Sequence, residues 1–180
     1  ARVVTDGGMV ETDAVVVAAG AHSNDLSSQL GSKVPLETER GYHVMLETPS
    51  VAPRIPIMSG EGKFFATPME GGLRIAGTVE LSGLNAPPNY NRADTLRDGG
   101  KLLFPSLTHG KVERWMGHRP SLPDSKPIIG RSRRVLNAIF AFGHGHVGLT
   151  AAAATGEIVS DLVAGRPPFM DIKGFADDRF

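Results

Sequence analysis

Val135-Leu136-Asn137-Ala138-Ile139-Phe140-Ala141-Phe142-Gly143-His144-Gly145-His146-Val147-Gly148-Leu149-Thr150 is the stretch on which the reading of the fold turns. Its first half, Val135 to Phe142, is an apolar run of strand length. Glycines at 143, 145 and 148 then match the spacing of a dinucleotide fingerprint, in which absent side chains let a ligand rest against backbone N–H groups at a helix N-terminus. A helix follows, with Val147, Ala151, Ala154, Ile158 and Leu162 spaced to form one buried face. Gly165 in the C′ position and Pro167-Pro168 end it. The glycine spacing fits a helix packed tightly on a sheet as well as it fits a ligand site. Against a nicotinamide site, no acidic residue stands about 20 positions on at the tip of a second parallel strand, since Asp171 falls in a tail after the prolines.

Working outward, the amino end has a similar character. Ala1 to Thr5, the turn Asp6-Gly7-Gly8 and Met9 to Thr12 read as a hairpin. Asp13-Ala14-Val15-Val16-Val17-Ala18-Ala19-Gly20 is a continuous apolar run, as in a strand buried on both faces. Ser23 is placed to cap a short helix through Leu30, with Asp25 in its first turn and Gly31 just beyond its end. From Pro35 to about Pro123 the chain changes to separated strands rich in Thr, Val, Ile and Phe. Val44 to Leu46, Lys63 to Thr67 and Leu73 to Val79 are the clearest, the last two joined by the turn Glu70-Gly71-Gly72. Asn91 to Leu103 reads as a helix with Ala93, Leu96 and Leu103 on one side and Arg92, Arg97 and Lys101 on the other, weakened by Gly99-Gly100. The expected class is α+β, with α/β patterns at both ends around a mixed, mostly antiparallel middle sheet. The corresponding segments are 1–34, 35–130 and 131–180.

Bulk properties exclude several function classes. Nineteen basic residues balance nineteen acidic ones, so no long-range field recruits nucleic acid. No run reaches the roughly 20 apolar residues of a membrane helix. Without cysteine there is no disulfide, thiolate zinc site or thiol nucleophile, which fits a reducing compartment such as the cytoplasm.

Among single residues, Arg119 in Trp115-Met116-Gly117-His118-Arg119-Pro120 stands out. A guanidinium is a planar, permanently charged fork that matches a carboxylate in two parallel hydrogen bonds. The alternative is a structural arginine paired with a local acid, for which Asp124 is the nearby candidate. His144 and His146, two apart, lack a third ligand at a recognisable spacing, so no metal site is expected. Gly-x-Ser-x-Gly is absent, and Ser23 is better explained as a cap than as a nucleophile.

The order of four motifs carries a family resemblance. Asp13 to Ser23, then Glu39-Arg40-Gly41-Tyr42-His43, then Gly117 to Asp124 with Pro127-Ile128-Ile129-Gly130, then Phe142 to Thr150, resemble the carboxy-terminal half of FAD-dependent D-amino-acid dehydrogenases and oxidases. The similarity runs on to Asp178-Arg179-Phe180. It implies a substrate-domain sheet in the middle, flanked by pieces of a Rossmann-like FAD domain. It implies FAD as cofactor in the parent enzyme, and a missing amino-terminal segment with the pyrophosphate-binding Gly-x-Gly-x-x-Gly, so that the chain alone would not retain the flavin. Residue by residue, the resemblance gives Arg119 the substrate carboxylate. It sets Ala19, Gly20, Gly143, His144, Gly145, His146, Val147, Gly148, Leu149 and Thr150 against the cofactor, and Tyr42 and His43 on the substrate side. Ser125 departs from the pattern, because many relatives have glycine after Pro-Asp.

The implied reaction is oxidative deamination of a D-amino acid by hydride transfer to flavin N5, with no catalytic side-chain base. An opine, a hydroxyproline isomer or an N-methyl amino acid would serve the same chemistry, and the parent's setting would be cytoplasmic or peripheral to the inner membrane. The alternative from another class is a non-catalytic interaction or regulatory module that keeps the substrate-domain fold.

Overall fold

The computed structural model describes residues 1–180. In chain order its strands are β1 (Arg2–Thr5), β2 (Gly8–Glu11), β3 (Val15–Val17), β4 (Glu37–Leu46), β5 (Ile57–Ser59), β6 (Phe64–Met69), β7 (Gly72–Leu81), β8 (Val112–Ser121), β9 (Ile128–Arg131) and β10 (Ala138–Phe142). The helices are α1 (Ser23–Gln29), α2 (Asn91–Leu103) and α3 (Gly148–Val163). The chain forms two compact units, the first joining Ala1–Thr38 to Arg119–Phe180 and the second being Glu39–His118. The α+β class, with mostly antiparallel sheets, is as the sequence predicts.

In the first unit β1 and β2 pair antiparallel around the expected turn, with Val4 opposite Met9. A separate three-stranded sheet has the order β3-β10-β9, in which β10 runs parallel to β3 and antiparallel to β9. Parallel pairing of these strands suits the α/β character of the two apolar runs, although the runs alone do not say that they pair. One half of the core sets Val17, Val34, Leu122, Ile128, Phe140 and Phe142 together. The other sets Ile129 and Ile139 against Ile158 and Leu162 of α3.

Three local expectations change in this unit. β3 is an edge strand rather than one covered on both faces, and Val16 is 40% exposed. The helix after Gly20 is entered through a 3-10 turn at Gly20–His22, so His22 takes the cap position and the buried Ser23 hydroxyl makes no capping bond. β10 begins at Ala138, because Ser132 Oγ accepts from the N–H groups of Arg134 and Val135 and folds those residues into a turn.

The second unit is built on a five-stranded sheet of order β5-β6-β7-β4-β8. Along β4, Tyr42, Val44 and Leu46 are buried while His43 and Met45 between them are only half-buried, the period-two pattern of a sheet with one covered face. Helix α2 covers that face, packing Ala93 and Leu96 with Tyr42, Val44, Leu73 and Ile75. Gly100 explains its own presence in a helix, since a Cβ there would lie 2.2 Å from Ile75 Cδ1. Losing roughly 1 kcal/mol of helix propensity is offset by the close approach of α2 to the sheet. Between Gly41 and Tyr42 the β4–β7 register slips, leaving Thr78 as an extra residue with φ 59°.

Candidate active site

The glycine loop after β10 is held from below by the end of β8. Gly143 has φ 83°, and a Cβ on it would stand 2.6 Å from Leu122 Cδ1, so both backbone and space require glycine. Two residues on, the Gly145 N–H donates to the Pro120 carbonyl at 2.8 Å. That bond fixes the loop one residue from Arg119. The Val147 N–H then donates to the His144 carbonyl at 3.1 Å, and α3 starts at Gly148.

Helix α3 presents an open N-terminus. No side chain caps it and no acidic residue lies in its first turn. Its first N–H groups are therefore available to an acceptor, and the helix dipole favours negative charge there. This fits an electron-rich planar group laid against the loop. The expected buried face of α3 holds only in its second half, at Ile158 and Leu162. Val147 and Ala154 are exposed and Leu149 is 94% exposed.

His144 sits on the inner side of the loop, its Nε2 3.0 Å from Thr155 Oγ1 on α3. Burial pushes its imidazole below the usual histidine range. It borders an apolar cavity of about 330 Å³ whose walls include Val16, Ala18, Ala141, Ala152 and Val159. Ala19 and Gly20 continue from Ala18 at the end of β3, where Gly20 opens the 3-10 turn. His146 is exposed.

Arg119 is half-buried in β8. Asp124, the local acid weighed as its partner, spends both oxygens on Arg179, at 2.8 Å to Nε and 3.1 Å to Nη2. That pairing holds the Asp124 carboxyl below its ordinary range. Just beyond it, Ser125 has φ 58°, a left-handed conformation in which a non-glycine residue is strained.

Tyr42 and His43 belong to the second unit and point to opposite faces of its sheet. The Tyr42 hydroxyl donates to Glu80 Oε2 at 2.5 Å and accepts from the Asn89 N–H at 3.0 Å. His43 faces outward and stacks on Trp115, with ring centroids 4.7 Å apart. Burial and the nearby Arg74 charge lower its pKa from 6.5 to about 4, so the ring is neutral at pH 7.

Comparison with known proteins gives the family. The family model described as FAD dependent oxidoreductase matches residues 1–162. The chain belongs to this FAD-dependent oxidoreductase family. A D-amino-acid oxidase of Bradyrhizobium diazoefficiens is 47% identical over 182 residues, covering 99% of this chain and 43% of that protein. A D-amino acid dehydrogenase of Paramagnetospirillum magneticum is 34% identical over 183 residues, covering 100% of this chain and again 43% of the relative. The chain thus spans less than half the length of these relatives. Among solved structures, glycine oxidase from Geobacillus kaustophilus shares the fold with a TM-score of 0.85 at 24% identity, covering 99% of this chain and 49% of that one. L-amino acid deaminase from Proteus vulgaris does so with a TM-score of 0.83 at 19% identity, covering 99% and 54%.

For this FAD-dependent oxidoreductase family member, one group of polar residues escaped the sequence reading. Arg40 is fully buried, donating from Nε to Gly83 O at 2.8 Å and from Nη2 to Ala86 O at 2.7 Å. Its Nη1 lies 3.6 Å from Glu80 Oε2, which also takes the Tyr42 hydroxyl. Arg92 joins through its Nε, 3.5 Å from Glu80 Oε1, and donates from Nη1 to Thr78 Oγ1 at 2.8 Å. The network ties residues 82–89 to β4 and gives Tyr42 a structural task. Only the arginine next to Gly41-Tyr42 hinted at it, since the carbonyl partners are set by a loop more than 40 residues away.

Proposed function

We propose that this chain is part of an FAD-dependent enzyme that oxidises D-amino acids or a related secondary amine. In this reading the first unit carries the FAD-facing groups and Arg119, the second carries further substrate-facing groups, and an amino-terminal segment supplies the pyrophosphate loop. The observation that carries it is the Gly145-to-Pro120 hydrogen bond, which locks the uncapped start of α3 next to Arg119. Bound FAD supplies the acceptor for the α-hydrogen, which leaves as hydride to give an imino acid that water hydrolyses to a 2-oxo acid and ammonia.

The chain's own residues supply orientation and charge. Arg119 grips the α-carboxylate in two parallel hydrogen bonds and so fixes the direction of the Cα–H bond. Ala19, Gly20 and Gly143 to Thr150 bring backbone close to the cofactor, and the α3 N-terminus favours the extra negative charge of its reduced form. Neutral His43 adds no competing cation on the substrate side. Residues 1–180 alone hold FAD weakly or not at all, because ordering a cofactor on part of its site costs more than the remaining contacts return.

The test is to express the full reading frame containing this chain, record its flavin absorbance, and assay 2-oxo acid formation from D-amino acids with a dye acceptor. Arg119→Leu is expected to keep the flavin and lower kcat/KM by about 30-fold to several thousand-fold, since removing one partner of a desolvated charge pair costs roughly 2 to 5 kcal/mol. A colourless protein, or unchanged kinetics in the variant, would overturn the reading.

A further inference from the structure

The outer face of the second unit's sheet, opposite α2, carries a cation with nothing to neutralise it. In the cross-strand register Phe65 of β6 lies opposite Ala76 of β7, and Ala76 lies opposite His43 of β4. Trp115 of β8 extends the row by stacking on His43. The small Ala76 separates Phe65 from the stacked pair in this row, and both Phe65 and Trp115 are about half exposed, at 48% and 50%. Arg74, two residues along β7 from Ala76, points to the same face.

Arg74 is half-buried, and its Nε is shielded from solvent with no hydrogen-bond partner. His43 Nδ1, beside it, is shielded and unpartnered as well. On the covered face the equivalent problem is solved, since Arg40 satisfies its guanidinium on four carbonyls and Glu80. Shielding a guanidinium N–H and a ring nitrogen without partners is unfavourable, and such orphaned groups call for a partner from outside the chain.

We propose that Arg74, flanked by His43 and Trp115, forms a carboxylate-binding site on this face, for a small acid with an apolar or planar body. The guanidinium takes the carboxylate and the Phe65 and Trp115 rings flank the body. Because His43 is neutral, Arg74 is the charge that selects an anion. The inference goes beyond the proposed function, which gives the α-carboxylate to Arg119; the acid at Arg74 is a separate ligand, and its binding is judged on this unit.

Trp115 is the single tryptophan of the chain and a built-in reporter. Residues 1–180 are titrated with phenylacetate through the millimolar range, with acetate and sodium chloride as controls, while tryptophan fluorescence is recorded. A saturable change is expected with phenylacetate, about tenfold weaker binding with acetate, and at least about tenfold weaker phenylacetate binding in Arg74→Gln. Arg2→Gln, on the exposed β1–β2 hairpin, should bind as the parent does. If no saturable response occurs, or if Arg74→Gln binds phenylacetate as the parent does, the Arg74 site is wrong, and the second outcome would leave the proposed function standing. Should Arg74→Gln fail to fold, the Nε–H resonance of Arg74 in the unaltered chain decides, since it must move on adding phenylacetate and an unmoved resonance overturns the site. A parent protein without flavin would sink the proposed function and leave this titration unaffected.

Discussion

The two units solve the burial problem to different degrees. The second closes its core with residues of one continuous segment: α2 lies on the sheet and Val44, Leu46, Leu73 and Ile75 reach essentially no exposure. The first divides its apolar residues between two smaller clusters, and leaves exposed the β1–β2 hairpin, one side of β3 and the first half of α3. A two-stranded hairpin gains little stability by itself, and an apolar helix start in solvent gains none. The second unit therefore covers one whole face of its sheet, while the first leaves apolar surface open.

The sharpest way to break that contrast is Ile75→Ala, which removes the side chain under Gly100. A loss of roughly 2 to 5 kcal/mol is expected, and urea unfolding followed by Trp115 fluorescence reports it from within the affected unit. The counterpart in the first unit is Gly143→Ala. Strain in the left-handed region and the contact with Leu122 together cost about 2 to 4 kcal/mol, visible as a lower thermal midpoint while the tryptophan signal of the second unit keeps its own transition.

Acid should act on the second unit through His43. Its folded pKa of about 4 lies below the ordinary 6.5, so between those values the unfolded chain binds more protons, and stability falls as pH drops through that window. The side chain is only half-buried, so water screens the effect and it stays smaller than the pH interval alone implies. Trp115 fluorescence followed against pH should show a quenching step near 4, and a midpoint near 6.5 would mean that the His43 stack is not formed. The smallest change goes the other way. Ser125→Gly relieves a left-handed serine and is expected to stabilise by about 0.5 to 1 kcal/mol once the extra backbone entropy of glycine is subtracted, a gain that calorimetry on the first unit's transition can resolve.

What was legible in the sequence was what local chemistry fixes. Alternation gave the hairpins, and the apolar runs from Asp13 and from Val135 gave strands, though not their parallel pairing. The Asn91 helix formed with the bounds its pattern set, and Gly100 proved to be a packing device, not a weakness. The misses share one cause. The Ser23 cap and the Asp124 partner each depended on what another segment placed nearby, a 3-10 turn and Arg179 from the far end of the chain, and helical spacing alone does not say which turns of α3 a sheet covers. Arg40 was hidden for the same reason, as its acceptors are carbonyls that no residue type announces. In the site, glycine spacing and the Arg-Pro step were readable, but the bond that joins them was not.

The way the second unit is inserted bears on the order of folding. β3 and β10 pair across about 120 residues of chain, a closure that is slow and entropically costly if everything between is loose. The inserted unit departs and returns through β4 and β8, which are neighbours in one sheet. If it folds first, the effective loop shrinks about threefold, lowering the closure cost by about 1 kcal/mol. The middle segment then acts as a staple for the ends, and substitutions in β4 or β8 would slow the assembly of a sheet to which they contribute no core residue.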